Sequence, residues 1–277
     1  MSDETRPGPE RGRAAAALDE AFCTSRPLLA AYLPAGYPTP AASLDLLHQL
    51  ASQADILEVG WPYSDPLMDG PVIQQAAAQA LAAGFTIRHL LRTVRSLAGH
   101  AHVLVMGYYQ PLHRYGLRRA AESLAEAGAA GVILPDLNID EAAAWLTEAK
   151  RAGLHTVFVV APTAADNRLR RIGAAGGGML YAPATTGVTG STAALHTGLR
   201  PFVHRLRTLT PLPVGVGIGV TRPEQAAEIG QFANAAIVGS ALIRAVRSAP
   251  GGRGITAALS LADELRHALL SRVPAAD

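Results

Sequence analysis

Short apolar runs alternate with Ala/Leu-rich amphipathic stretches along nearly the whole chain, and this alternation limits the fold more than any other feature. The runs fall at 28–33, 56–60, 103–106, 131–134, 156–160, 179–181, 214–216 and 236–238. Runs this short and this apolar read as strands buried on both faces, as in a parallel sheet. Helical periodicity fills the intervals near 41–53, 71–83, 86–98, 117–127, 140–152, 165–175, 195–209, 223–231, 239–247 and 255–271. Eight strands, each followed by helix, predict a closed (β/α)8 TIM barrel with extra short helices. A length of 277 residues suits one such domain. Residues 18–277 are assigned to the barrel and residues 1–17 to a disordered, polar tail. An open doubly wound sheet is the runner-up, but no Gly-x-Gly-x-x-Gly turn follows the first strand.

Bulk properties exclude several function classes. The net charge is only +2, which points neither to nucleic acid nor to an anionic membrane. The single cysteine, Cys23, rules out an internal disulfide framework and fits a reducing cytoplasm. No apolar run is long enough to span a bilayer, and the first residues do not resemble a secretory signal.

In a barrel, chemistry sits where the strands end at their C-terminal edge. The second run, Ile56-Leu57-Glu58-Val59, carries a carboxylate in a strand that should be buried. Such a charge is expensive unless it is paired or used. A turn-rich loop follows and delivers Asp69 just before a helix starting at Pro71. Asp-Gly before Pro is also ordinary turn grammar, and Glu58 alone could be a strand-end partner of an arginine. Flanking one loop, the two read as an acid/base pair.

Glycine-bearing turns follow the sixth, seventh and eighth strands: Gly187-Val188-Thr189-Gly190, Gly215-Val216-Gly217-Ile218-Gly219 and Gly239-Ser240-Ala241. Each alone could be a tight turn. Together, at those ends, they predict a phosphate site built from backbone N–H groups and the Ser240 hydroxyl. The only lysine, Lys150, falls at the end of a predicted helix, which excludes a Schiff-base mechanism. No zinc site is expected. His102 and His155 begin strands, His48, His89, His196, His204 and His267 fall on helices, and His113 lies in a loop without a histidine partner. What remains is acid/base chemistry on a phosphorylated small molecule, with neither metal nor cofactor.

The segment from Glu58 to Pro71, reading Glu-Val-Gly-Trp-Pro-Tyr-Ser-Asp-Pro-Leu-Met-Asp-Gly-Pro, resembles the signature of the tryptophan synthase α subunit family. The similarity extends from about residue 28 to the C-terminus. It takes in Tyr32-Leu33-Pro34-Ala35-Gly36-Tyr37-Pro38, Leu134-Pro135-Asp136-Leu137, Pro223-Glu224-Gln225 and the glycine motifs in the same order. The resemblance implies retro-aldol cleavage of indole-3-glycerol phosphate to indole and glyceraldehyde 3-phosphate. It implies Glu58 as the general acid/base and Asp69 as the carboxylate that holds the indole N–H. It implies Tyr181 as the support of the glutamate, and Gly190, Gly217, Gly239 and Ser240 as phosphate-binding groups. Tyr32 and Leu134 would wall the indole ring. The family's partner is a β subunit in an α2β2 assembly.

The chain also departs from the commoner family pattern. Met106-Gly107-Tyr108-Tyr109-Gln110-Pro111 follows the third strand, Asn138 the fourth, and Ala184 replaces a serine in the sixth loop; Trp61 and Val72 differ as well. These loops include the family's partner-facing surface, which leaves room for a stand-alone lyase that releases free indole. A regulatory partner with little turnover and a phosphate-handling isomerase are the other readings.

Overall fold

The structure, a computed structural model, describes residues 12–184, 195–249 and 252–271. Eight parallel strands close into a barrel in sequence order: β1 (Leu28–Pro34), β2 (Ile56–Gly60), β3 (His102–Met106), β4 (Gly131–Ile133), β5 (His155–Val159), β6 (Leu180–Pro183), β7 (Val214–Gly217) and β8 (Ala235–Val238). The last strand pairs with the first, Leu28 opposite Ala235, so no edge is left unpaired. Every strand predicted from the sequence is present within one or two residues.

Around the barrel lie α2 (Pro40–Leu50), α3 (Pro71–Ala82), α4 (Ile87–Leu97), α6 (Leu117–Glu126), α7 (Ala143–Ala152), α8 (Asp166–Ala175), α9 (Leu199–Leu209), α10 (Pro223–Gly230), α11 (Ser240–Arg247) and α12 (Gly252–Leu270). Two further helices were not expected. One, α1 (Arg13–Phe22), lies partly in the stretch assigned to a disordered tail. Its Leu18 is fully buried among barrel-interior side chains, so this helix plugs the N-terminal end of the barrel. His155 Nε2 meets the Asp19 carboxylate at 3.0 Å and the Ala15 carbonyl at 3.2 Å, which ties the plug down. The Ala-rich turn of α1 is too short to announce itself against its polar flanks. The rest of that tail, residues 1–11, lies outside the described residues.

The other is α5 (Tyr109–Tyr115), which holds His113 on a helix rather than in a loop. Pro111 sits in its first turn, where no backbone N–H is needed. His196 in turn precedes α9 instead of lying on it. No helix among the described residues is long and apolar enough to cross a membrane.

Strand alternation divides the core into two layers. Leu28, Ala30, Ile56, Leu104, Ile133, Val157, Met179, Tyr181, Ala235 and Ile237 fill the barrel. Their neighbours Leu29, Ala31, Leu57, Val103, Val132, Leu180, Val214 and Val216 pack outward beneath the helices. The inward positions of β7 are both glycine. A Cβ on Gly215 would stand 2.7 Å from Met179 Sδ, and one on Gly217 would collide with the Tyr181 hydroxyl and lie 2.9 Å from Ile237 Cβ. The thinness of β7 is what admits the large side chains of Met179 and Tyr181 beside it.

Candidate active site

Glu58 is the middle residue of β2, in register with Tyr32 on β1 and Leu104 on β3. Alternation turns it into the barrel with Ile56. Its side chain is 0% exposed, and neither carboxylate oxygen has a hydrogen-bond partner among the described residues. An unpaired carboxyl removed from water keeps its proton. Burial accordingly raises its pKa to about 8. At neutral pH Glu58 is therefore an acid with a proton to give.

Asp69 arrives from the loop that follows β2, two residues before α3 begins at Pro71. Its N–H donates to the Pro66 carbonyl at 3.0 Å, and Gln74 Nε2 on α3 donates to its carbonyl at 2.9 Å, so the turn is fixed at both ends. The Tyr108 hydroxyl donates to its carboxylate at 3.1 Å and accepts the Met68 N–H at 3.0 Å. Burial raises the Asp69 pKa to about 6, with the Tyr108 hydrogen bond pulling the other way. The two carboxyls thus differ in environment, and a window near neutrality holds Glu58 protonated with Asp69 ionised.

Tyr108 was not singled out from the sequence, yet it organises this loop. Its ring lies 5.4 Å from that of Tyr63, and its hydroxyl bridges backbone and carboxylate. Removing that hydroxyl leaves Asp69 without its donor and the Met68 N–H without its acceptor. Tyr108→Phe is expected to lower kcat about tenfold, the size of one hydrogen bond to a charged group. The acidic limb of the rate profile should move to higher pH, because a lowering influence on Asp69 is lost. A pH–rate series on the variant checks both effects.

Tyr32 and Tyr181 close over the glutamate. Burial holds both phenols well above their ordinary pKa, and the Glu58 and Asp69 carboxyls add to the effect. Tyr32 rests across two glycines: a Cβ on Gly60 would lie 2.6 Å from its hydroxyl and one on Gly239 3.0 Å from Cδ1. Tyr181 stands beside Glu58 but makes no hydrogen bond to it among the described residues.

Glu58, Tyr32, Tyr181, Gly239 and Ser240 line one cavity of about 20 Å³, together with Met106, Ile237 and the Ile218-Gly219 turn. That is room for about one water molecule, so a bicyclic ring enters only as these side chains move. A larger cavity, about 640 Å³, lies at the opposite, N-terminal end of the barrel beside residues 12–14 and 98–103, away from both carboxylates. At the C-terminal end of the strands α11 begins at Ser240 with Gly239 as its cap, and Ile243 N–H closes onto the Gly239 carbonyl. The first N–H groups of a helix have no intrahelical acceptor, and with Gly239 and Ser240 lining the cavity the helix dipole there favours an anion.

Not every expected residue reaches this cavity. Gly217 lies within β7 against Tyr181, and Gly219, at φ +108°, is the glycine of that loop that borders the cavity. Leu134 packs in the layer between barrel and helices, while its neighbour Ile133 faces the interior. Gly190 lies outside the described residues.

Comparison with known proteins agrees with this geometry. The family described as tryptophan synthase alpha chain matches residues 18–268. The tryptophan synthase alpha chain of Streptomyces avermitilis is 46% identical over 252 residues, covering 90% of this chain and 91% of its own. That of Mycobacterium marinum is 42% identical over 258 residues, covering 92% and 94%. Among solved structures, Mycobacterium tuberculosis tryptophan synthase superposes with a TM-score of 0.85 at 38% identity, covering 94% of this chain and 99% of that one. The alpha subunit from Legionella pneumophila superposes at 0.83 with 32% identity, covering 93% and 98%. With a closed eight-stranded barrel, a buried glutamate on its second strand and this extent of similarity, the chain belongs to the tryptophan synthase alpha chain family.

Proposed function

We propose that Glu58 and Asp69 carry out in this chain the reaction of its family, the cleavage of indole-3-glycerol phosphate to indole and glyceraldehyde 3-phosphate. The observation that carries this reading is the buried, unpaired Glu58 of β2, with an ionisable Asp69 on the loop that leaves the same strand. Indole is a leaving group only once its C3 carries a proton. Protonated Glu58 supplies that proton, and ionised Asp69 takes the hydrogen bond of the ring N–H and offsets the positive charge that develops there. The Glu58 carboxylate so formed removes the proton of the glycerol hydroxyl next to the breaking bond. The C–C electrons return to the ring, the aldehyde forms, and Glu58 ends protonated as it began. Tyr32 and Tyr181 wall the ring, while Gly239, Ser240 and the start of α11 hold the phosphate, with Gly219 after β7 and Gly190 of the sixth loop completing that site.

The partner that fits is a tryptophan synthase β subunit. Leu67 is 86% and Met68 50% exposed, two large apolar side chains on the very loop that carries Asp69. A protein covering them would bear directly on the position of that carboxylate, which gives docking a route to activation. The single free cysteine, Cys23, suits a reducing compartment, and we place the enzyme in the cytoplasm.

Indole release by the purified chain, measured with and without a β subunit from the same source, tests the reading. Slow turnover that rises sharply on addition of β is expected. Fast turnover indifferent to β would make the chain a self-sufficient lyase, and no turnover in either condition overturns the assignment.

A further inference from the structure

Among the described residues, one non-glycine residue occupies left-handed backbone: Ile218, with φ +62°. A β-branched side chain is poorly suited to that conformation, because its Cβ crowds the following carbonyl. Glycine would relieve the strain, and glycine stands on either side, at Gly217 and Gly219. A residue held this way persists where its surroundings over-determine the backbone.

The surroundings include Gln225, the third residue of α10, which is only 4% exposed. Its Oε1 accepts the Thr221 N–H at 2.8 Å, the Thr221 hydroxyl at 3.1 Å and the Arg222 N–H at 3.1 Å. Its Nε2 donates to the Gly219 carbonyl at 3.3 Å. One buried amide therefore fastens the segment immediately after Ile218 to a helix. The fastened turn presents Ile218 to the cavity that also holds Glu58 and Tyr181, against the barrel-interior side chains.

We propose that Gln225 is a positioning residue for the lyase reaction, holding the 217–219 turn in the strained form that presses Ile218 onto the bound ring above Glu58. The inference rests on the reading of this cavity as the ring site. Gln225 touches no reacting atom; it acts through the turn, and Ile218 sets the fit of the substrate.

The test separates strain from packing by comparing Ile218→Gly with Ile218→Ala in the full chain. Both lose every contact of the isoleucine beyond Cβ and differ from each other by one methyl group, and only alanine still suffers left-handed backbone. Ile218→Gly is expected to unfold about 2–4 °C above Ile218→Ala. In a Gln225→Leu background that advantage should vanish, because the turn is no longer held. Gln225→Leu alone should raise the KM for indole-3-glycerol phosphate about tenfold with kcat within about threefold, since Glu58 and Asp69 are untouched. If Gln225→Leu does not fold, Gln225→Glu keeps the accepting oxygen, loses the donor to Gly219, and should show a smaller KM rise in the same direction. An alanine variant as stable as the glycine variant, an advantage that survives Gln225→Leu, or an unchanged KM would each overturn the proposal. A wild-type chain without lyase activity would sink the reading of the site instead, while the thermal comparison still decides what holds the turn.

Discussion

Glu58→Gln is expected to abolish indole release and, at the same time, to make the protein more stable above neutral pH. Glutamine keeps the shape of the side chain but can neither give a proton to the ring carbon nor take one from the hydroxyl. Loss of a general acid/base costs about 10²–10⁴-fold, and a residue that serves both steps belongs at the upper end. The stability gain follows from linkage. Glu58 holds its proton in the folded chain up to about pH 8, whereas the unfolded chain releases it in the ordinary carboxylate range. Between those limits the folded state binds more protons, so wild-type stability falls as pH rises through that window and levels off above it. Glutamine has no such dependence. The variant should match wild type near pH 4 and exceed it by on the order of 3–5 kcal/mol above pH 8, taken as an upper bound. Chemical denaturation across that range measures the difference. A variant that retains most activity, or gains no stability at high pH, contradicts the assignment of Glu58.

Asp69→Asn should also be severe, in the range of about 10²–10³-fold in kcat, because a fixed negative charge next to a developing positive one is removed inside a water-poor site. Its pH signature is the sharper test. With Asp69 raised to about 6 and Glu58 to about 8, the reactive form has the first ionised and the second protonated. The wild-type kcat/KM should therefore trace a bell whose limbs lie near those values. Asp69→Asn should flatten the acidic limb and leave the alkaline one in place. A profile whose acidic limb survives the substitution would show that another group sets it.

The strands were legible because each is a compact apolar run, and Glu58 stood out because a carboxylate in such a run has few bland explanations. Asp69 was ambiguous, since the same residue type makes ordinary turns, and reading it as half of an acid/base pair rested on its sharing a loop with Glu58. Tyr108 could not be read: its role depends on hydrogen bonds to Met68 and Asp69, 40 and 39 positions away in the chain. Leu134 shows a different limit. The run 131–134 is apolar throughout, so nothing in it says which residue faces inward, and a one-residue shift exchanges the barrel interior for the helix layer. Ile218 was passed over within a glycine motif that reads as a phosphate-binding turn, whereas its backbone is held by a side chain of the next helix.

The glycine that gives way to Tyr181 carries a consequence for how such a barrel can change over generations. Positions 181 and 217 share a single volume, so each decides what the other is permitted to be. A bulkier residue at 217 is tolerated only after 181 shrinks and Ile237 gives way, and shrinking 181 first opens a hole beside Glu58. Either order passes through an ancestor worse than both endpoints. Lineages should therefore hold this pair locked, and a library that randomises 181, 217 and 237 jointly should recover active combinations that no single-site library contains.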